Sequence, residues 1–387
     1  MAEQMNAEEM LARLVGFNTE SQNSNLPLID FVADYLARHG IEAARVMDGT
    51  GTKAALYAQI GPAEPGGVVL SGHTDVVPVA GQPWDTDPYV LTPRDGRLHG
   101  RGTCDMKGFL AVCLAAVPQM RAAGLRRPVQ LALSYDEELG CLGAPPLIAA
   151  MRAGLPPAAA AIIGEPTMMR VVTGHKAIVD LSTHVRGFEV HSSLMHTGVS
   201  AVMVAAELIQ WLSDQNRANR DAADPASPYE PPWTTLHVGR IEGGTAHNIT
   251  ARDCRFSVDV RAMPGETPED WAARYRAHAA EVEARIRKIR PEASITVEAG
   301  LTVPGCRPET DGAAEALARA LTGDNGQHVV AYATEAGQFQ DGGYSAAICG
   351  PGSIEQAHQP NEYIDQAQLA AGSAFIDRLV DRLAAAA

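Results

Sequence analysis

The sequence predicts a two-domain α/β protein, in which a smaller α+β domain is inserted into a domain with a mainly parallel sheet. A chain of 387 residues is long for one hydrophobic core. Apolar strand-like runs alternate with helical patterns up to Gly174, which is typical of parallel sheets. Beyond Gly174 the strands have one polar face. We therefore place the first domain at residues 1–175 and 299–387, and the inserted domain at 176–298.

The first domain opens with two helices. Residues 7–15 and 26–39 have apolar side chains at helical spacing, and Asn25, Pro27 and Gly40 suit the ends of the second helix. Strands are predicted at 54–60, 67–71, 128–135 and 158–163. A helix is predicted at 105–118, with Asp105 as its N-cap. The chain ends in an amphipathic helix whose apolar face contains Leu369, Ile376, Leu379, Val380 and Leu383. Because parallel strands end at one edge of a sheet, residues that follow these strands are expected to meet there.

The inserted domain has a different order of elements. An alternating strand at 178–185 places Val179, Leu181, Thr183 and Val185 on one face. A helix at about 200–212, a polar loop at 213–232, strands at 234–241 and 254–261, a helix at about 268–290 and a strand at 294–298 follow. This βαββαβ order is that of a ferredoxin-like unit.

Composition excludes several classes of protein. The net charge of −15, without a basic patch, argues against nucleic acid as a partner. No apolar run is long enough to span a membrane, and Met1 to Leu14 do not form a signal peptide. The six cysteines have no CxxC spacing, so we expect reduced thiols and a cytoplasmic location.

Five residues of the types that bind metals occur along the chain: His73, Asp105, Glu138, Glu165 and His358. Carboxylate and imidazole groups bind zinc-like divalent ions. Five ligands are too many for one open catalytic zinc and about right for two ions that share a carboxylate. With a spare glutamate, Glu137, beside Glu138, the set predicts a hydrolase that activates water.

Each of these segments also has an ordinary structural interpretation. His73 can be a surface loop histidine, Asp105 a helix N-cap, and Glu137 and Glu138 part of a solvated turn. Asp75, two residues after His73, is close enough to hold the second nitrogen of its ring. The joint occurrence of the segments favours the metal site.

The segments resemble a known family, the co-catalytic zinc aminoacylases and carboxypeptidases. The resemblance covers nearly the whole chain and rests on His73-Thr-Asp75, Gly-Thr-Cys-Asp105-Met-Lys-Gly, Asp-Glu137-Glu138, Gly-Glu165-Pro-Thr and the late His358. It implies that Asp105 bridges two metal ions, zinc or alternatively cobalt. It also implies that His73 and Glu165 complete the coordination of one ion, and that Glu138 and His358 complete that of the other. Glu137 would then be the general base, and Asp75 would orient His73.

The resemblance also implies a lid and dimerisation role for the inserted domain in a homodimer. His191 would stabilise the oxyanion across the dimer, and Asn248 and Arg261 would hold the substrate, although Arg261 could equally be a solvated strand residue. Segments 332–340 and 350–363 most resemble deacetylases that act on N-acetylornithine. Alternatives are a desuccinylase, a broad N-acyl amino-acid deacylase, a carboxypeptidase and a metal-binding protein without turnover. Glu335 is our hypothesis for the anion that pairs with the substrate ammonium, and a solvated loop residue is the alternative.

Overall fold

The computed structural model describes residues 4–385. The described part does not include residues 1–3, where the segment considered as a signal peptide begins. It also does not include residues 386–387, where the predicted first domain ends. The chain divides into two compact units. The first comprises Met1–Gly174, Pro308–His328 and Thr334–Ala387, and the second comprises His175–Arg307 and Val329–Ala333.

The elements follow one another in three segments of the chain. Up to residue 175 they are α1 Ala7–Val15, α2 Leu26–Arg38, β1 Ala43–Met47, β2 Ala54–Ile60, β3 Gly67–His73, β4 Thr92–Arg94, β5 Arg97–His99, a π-helical turn Thr103–Lys107, α3 Gly108–Ala115, α4 Val117–Ala122, β6 Val129–Ser134, α5 Ala144–Gly154, β7 Ala158–Pro166 and β8 Val172–His175. The middle segment contains β9 Ala177–Arg186, a 3-10 turn Ser192–Thr197, α6 Ala201–Asp221, β10 Thr235–Gly243, β11 Asp253–Ala262, α7 Pro268–Ile286 and β12 Ser294–Val303. The last segment contains α8 Ala313–Thr322, β13 His328–Val330, α9 Ala336–Asp341, β14 Ala346–Gly350, a 3-10 turn Ile354–Gln356, β15 Tyr363–Asp365 and α10 Gln366–Ala384.

The first unit is built on a mixed sheet with a parallel centre. Its strands run in the order β1-β2-β6-β3-β7-β14-β8. Strand β3 pairs in parallel with β6 and β7, and β14 pairs in parallel with β7, whereas β1–β2, β2–β6 and β14–β8 are antiparallel. The register aligns His73 with Ser134 and Ser71 with Ile163, so the carboxyl ends of the three central strands share one edge.

The core of this unit is formed by the sheet and the helices packed on it. Every residue of β3 and β6 is buried, as expected for strands covered on both faces. Helix α1 begins with a capping box between Asn6 and Glu9 and buries one apolar face. The apolar side chains predicted on the last helix, Leu369, Ile376, Leu379, Val380 and Leu383, are all buried.

The second unit has the predicted ferredoxin-like topology. Its sheet order is β10-β11-β9-β12, with all pairs antiparallel. Val179, Leu181, Thr183 and Val185 are buried, and alternate residues are more exposed. Helices α6 and α7 contribute to the same hydrophobic cluster as these strands. The prediction of an α/β fold with an inserted α+β part is confirmed. The lid and dimerisation role of that part stays a prediction.

Several predicted boundaries differ from the structure. The predicted polar loop at 213–232 is wrong in its first part, because α6 continues to Asp221. The residues after Leu212 are polar but contain no helix breaker before Pro225, and the Asp214–Arg217 pair supports the extra turns. The inserted unit ends later than predicted, because β12 still pairs with β9 at Val303.

The predicted helix at 105–118 is interrupted, and the N-cap interpretation of Asp105 is wrong. A π-helical turn at Thr103–Lys107 precedes α3, whose N-cap is Lys107. Asp105 has non-helical backbone angles, φ −122° and ψ 89°. Asp105 therefore does not occupy the N-cap position of α3. Among residues 4–385, no helix is both long and apolar enough to cross a membrane.

Candidate metal centre

Three predicted ligands meet at the edge of the central sheet of the first unit. His73 ends β3, Glu165 lies near the end of β7, and Asp105 lies in the π-helical turn. The Nε2 atom of His73 is 3.0 Å from Asp105 Oδ1 and 3.8 Å from Glu165 Oε1. All three side chains are buried, and one donor atom from each lies within 4.8 Å of the others. Such a group can hold one metal ion.

A second group of three ligands shares Asp105 with the first. The Nε2 atom of His358 is 3.3 Å from Asp105 Oδ2 and 3.0 Å from Glu138 Oε2. One donor atom each from Asp105, Glu138 and His358 again lies within 4.8 Å of the others. The two oxygens of Asp105 thus face different histidines, one in each group. This is the arrangement of a carboxylate that bridges two cations.

The charges at this edge fit divalent cations. Burial raises the pKa of Glu165 well above its ordinary value, and the Asp105 carboxylate adds to the rise. Hydrogen bonds to Asp105 and Glu138 raise the pKa of His358 to about 10. Glu165 Oε1 is buried and makes no hydrogen bond within the described part of the chain. Because the site has a surplus of buried negative charge and a free ligand atom, its residues fit a metal pair.

Asp75 contacts both His73 and the loop that contains the two glutamates. The Nδ1 atom of His73 is 2.9 Å from the Asp75 carbonyl oxygen and 3.6 Å from its carboxylate. The carboxylate accepts hydrogen bonds from Ser21 Oγ at 2.9 Å and from the backbone N–H groups of Glu137 and Glu138 at 3.2 and 3.3 Å. The ring nitrogen that faces Asp105 is therefore free to bind a metal, and Asp75 also fixes the glutamate loop.

Glu137 belongs to neither ligand group, although it adjoins Glu138. Its Oε1 atom accepts a hydrogen bond from Cys141 Sγ at 3.5 Å. Burial raises the pKa of Glu137 well above its ordinary value, and the carboxylates of Glu138 and Asp105 add to the rise. Bound cations would oppose this rise, so Glu137 can act as a base at a metal-loaded site.

Glu335 is buried and lies near these groups. Only 1% of its surface is exposed, and its Oε2 atom accepts a hydrogen bond from Ser71 Oγ at 3.2 Å. Its Oε1 atom makes no hydrogen bond among residues 4–385. Burial raises the pKa of Glu335, and its charge acts on Glu137. The alternative of a solvated loop residue is therefore wrong, whereas its role towards substrate stays a hypothesis.

Sequence reasoning missed two neighbours of this carboxylate. Gln338 lies one turn beyond Glu335 and donates from Nε2 to the Cys141 carbonyl at 3.1 Å. Cys141 is buried and contacts Glu137, as described above. Gln338 could have been predicted, because residues three apart at the start of a helix lie on the same side of it. Cys141 could not be predicted from the sequence, because its contacts depend on a turn with positive φ.

The remaining predicted site residues belong to the second unit. His191 and Asn248 lie close together, since the backbone N–H of Ser192 donates to the Asn248 carbonyl at 2.8 Å. His191 is exposed, and its Nδ1 atom accepts from the backbone N–H of Ser193 at 3.2 Å. Arg261, on β11, is partly exposed and pairs through Nε with both oxygens of Asp259, at 2.9 and 3.1 Å.

Backbone strain marks the loops around the metal centre. Within the described part, eight residues other than glycine have positive φ. Six of them follow β6, β7 or β14: Asp136, Cys141, Met168, Met169, His358 and Asn361. Strained residues persist where the surrounding structure requires them, which is common at functional sites.

Comparison with known proteins agrees with this geometry. Residues 69–382 match the sequence profile of peptidase family M20/M25/M40. A protein of Myxococcus xanthus named acetylornithine deacetylase is 35% identical over 383 residues, covering 96% of this chain and 95% of that protein. A Proteus mirabilis protein with the same name is 34% identical over 368 residues, covering 94% and 92%.

Solved structures show the same fold. A metallo-carboxypeptidase of the M20 family from Sulfolobus solfataricus superposes with a TM-score of 0.76 at 17% identity, covering 98% of this chain and 100% of that one. A dinuclear metal-binding M20 peptidase from Bacillus subtilis gives 0.65 at 16% identity, covering 97% and 98%. The family, the fold and the ligand groups define a metal-dependent hydrolase that acts on amide bonds. The chain belongs to peptidase family M20/M25/M40, which confirms the resemblance described above.

Proposed function

We propose that this protein removes the acetyl group from N2-acetyl-L-ornithine, giving L-ornithine and acetate. The observation that supports hydrolysis is the position of Asp105 between two ligand groups, with Glu137 beside them. The choice of substrate is supported by the relatives named acetylornithine deacetylase, which are 34–35% identical over almost the whole chain. The substrate is a small N-acetyl amino acid.

We propose that two divalent ions bind at this site. His73 and Glu165 would hold one, Glu138 and His358 the other, and Asp105 would bridge them. Zinc is our choice, because imidazole and carboxylate ligands at a partly buried site suit it, and cobalt is accepted by the same ligands. When bound, such a pair polarises the amide carbonyl and lowers the pKa of water.

The proposed reaction needs one proton carrier. The Glu137 carboxylate takes a proton from the attacking water, whose oxygen forms a bond to the acetyl carbonyl carbon. The bond between that carbon and the amine nitrogen then breaks. Glu137 gives the same proton to the leaving nitrogen, which restores its carboxylate. The carboxylic acid that forms passes the remaining proton of the water to the amine, so that acetate and the ammonium form of ornithine leave.

His191 is proposed to stabilise the oxyanion that develops on the carbonyl oxygen. His191 is exposed, and because its Nδ1 accepts the Ser193 N–H, the neutral ring has its proton on Nε2. That N–H is a donor for a developing negative charge. Asn248, beside it, and Arg261 are proposed to hold the substrate, with the planar guanidinium pairing with the α-carboxylate.

We propose a homodimer formed through the second unit, with His191 acting at the partner's metal centre. Strand β10 is an edge of the sheet, and most of its residues are exposed. Exposed apolar residues in this unit include Leu194, Met195, Met203, Ile241 and Ile249. Unpaired strand edges and exposed apolar side chains favour association with another chain. A cytoplasmic location is proposed from the six cysteines, which are all buried and have no CxxC spacing.

The proposed function is tested by comparing kcat/KM on substrates that are all cleaved at an amide bond. N-acetylornithine, N-succinyl-diaminopimelate, N-acetylmethionine and a dipeptide are assayed with the zinc-loaded protein, and Glu137→Gln is the inactive control. We expect the highest value with N-acetylornithine. A higher value with the succinyl compound, the neutral acetyl amino acid or the dipeptide would assign the protein to a desuccinylase, a broad deacylase or a peptidase. No turnover of any of them would contradict the proposal.

A further inference from the structure

Glu362 lies outside both ligand groups but is bonded to the backbone that carries Asp105. Its side chain is buried, with 1% of its surface exposed. Its Oε1 atom accepts from the backbone N–H groups of Cys104 at 3.0 Å and Asp105 at 3.2 Å. Its Oε2 atom accepts from the N–H of Gly102 at 2.9 Å and from Arg101 Nη1 at 2.8 Å. One carboxylate therefore collects four donors from the loop at 101–105.

The same contacts connect this loop to the one that carries His358. Arg101 is fully buried and also donates from Nη1 to the Gln359 carbonyl at 3.2 Å and from Nη2 to Gln82. Gln82 in turn donates to the His358 carbonyl at 2.8 Å. Backbone contacts also join the two segments, since β15 pairs with β5 and the Gly100 N–H donates to the Glu362 carbonyl at 2.9 Å.

Arg101 and Glu362 form a buried ion pair, which packing alone does not require. Removing a carboxylate and a guanidinium from water is costly, and an apolar pair could fill the same space. Burial raises the pKa of Glu362, and the charge of Arg101 and the N–H donors act against that rise. The donors converge on the two oxygens from fixed backbone positions, so the carboxylate determines where the loop runs. The loop ends at the residue that faces both histidines.

We propose that Glu362 is a positioning residue for the metal pair. By holding the loop at 101–105 against the loop at 358–362, it sets the distance between the bridging Asp105 and the terminal ligand His358. Groups that orient metal ligands without touching the metal affect affinity strongly, commonly 10–100-fold. The inference rests on the proposed metal site and goes beyond it, because it makes the affinity for the metal ions depend on a residue that binds no ion.

The test is Glu362→Gln in the full-length protein. The amide keeps the size of the side chain, but its NH₂ group must face two of the four N–H donors whichever way it is oriented, so two contacts become repulsive. We expect zinc binding, measured by competition with a chromophoric chelator, to weaken 10–100-fold for at least one ion. The absorption spectrum of the cobalt-loaded protein should also change, which a loss of stability alone would not cause.

Glu309→Gln is the matched control. Glu309 lies in the same unit and accepts three hydrogen bonds, from Gln340, Ser345 and the N–H of Ala346, and none of these donors is a candidate metal ligand. Zinc affinity and the cobalt spectrum should remain those of the wild type in this variant. Thermal melting in the presence of a chelator reports the stability of each metal-free protein separately.

A second variant covers the case in which Glu362→Gln does not fold. Arg101→Lys keeps a cation beside Glu362 but loses the planar fork that reaches Gln82 and the Gln359 carbonyl. We expect it to weaken zinc binding as well. Wild-type affinity and an unchanged cobalt spectrum in the folded variants would overturn the positioning role and leave the metal site intact. Failure of the wild type itself to bind zinc would overturn both proposals.

Discussion

Glu137 and Glu138 are adjacent in sequence, yet their side chains have different surroundings. Glu138 lies 3.0 Å from His358 within a ligand group, whereas Glu137 contacts the Cys141 thiol and belongs to neither group. Adjacent residues on a turn point in different directions, so one can bind a metal while its neighbour holds water. The two side chains can therefore be separated by mutation.

Glu137→Ala is expected to retain metal and to lose kcat by a factor of roughly 10² or more, the usual scale for a general base. Glu138→Ala is expected to lose metal first. The measurements are metal content by atomic emission and kcat on N-acetylornithine, made on the same preparations. If the two variants exchange these behaviours, the roles of the neighbouring glutamates are reversed.

Glu335→Gln tests how the substrate side chain is recognised. The buried carboxylate has one oxygen without a partner in the described part of the chain, which suits a substrate ammonium. Removing its charge should cost about 1–3 kcal/mol in kcat/KM for N-acetylornithine and change N-acetylmethionine little. Equal losses on both substrates would mean that Glu335 only supports the loop.

The site residues differ in how far the sequence could predict them. The five ligand candidates could be named because they are of metal-binding types and follow strands or lie in glycine-rich turns. Glu362 could not, because it acts through backbone N–H groups that are distant in sequence. Cys141 could not, because its contact with Glu137 depends on a turn with positive φ. The contact of Asp75 with the glutamate loop was hidden for the same reason, since 62 residues separate Asp75 from Glu137.

At the scale of elements, the central strands determine where the ligands meet. The apolar runs at 67–71 and 158–163 predicted β3 and β7, and the alternating pattern at 128–135 predicted β6, because buried strands consist mainly of apolar residues. Their order in the sheet and the antiparallel flanks depend on long-range pairing, which local patterns do not encode. Residues 105–107 of the turn at Thr103–Lys107 were predicted as helix because the apolar residues after them have the helical spacing of α3.

The close packing of β7 against α3 gives a stability prediction. A Cβ atom added to Gly164 would overlap the Phe109 ring, which is buried. Gly164→Ala should lower the free energy of unfolding by about 1–3 kcal/mol, since the ring must move within a packed core. Urea denaturation measures this change. Gly49→Ala is the control, because a Cβ there meets nothing within 4 Å, and equal effects of the two changes would contradict the packing argument.

At the scale of the whole molecule, the proposed catalytic groups are divided between two compact units. Glu137 and the five ligand candidates belong to the first unit, and His191, Asn248 and Arg261 to the second. The topology of the second unit could be predicted because β9 and β11 alternate and its two helices are long. The proposed association of two chains does not follow from the sequence pattern, because it depends on which surfaces remain exposed.

Mixing two inactive variants tests the dimer. Glu137→Ala and His191→Ala chains are each expected to be nearly inactive. After subunit exchange, the mixed dimer contains one metal centre with an intact Glu137 and an intact His191 from the other chain. Activity should therefore recover in part, up to about one active site per mixed dimer. Exchange confirmed by mass-tagged chains without recovered activity would contradict action across the dimer.

The most direct test of the two-metal site is a zinc titration of the metal-free protein, with metal content and the rate on N-acetylornithine measured in the same samples. Because Asp105 faces one histidine through each oxygen, we expect two ions per chain at full activity. We also expect loss of activity on chelation and recovery with zinc or cobalt. Full activity with a single tightly bound ion per chain would contradict the bridging role of Asp105.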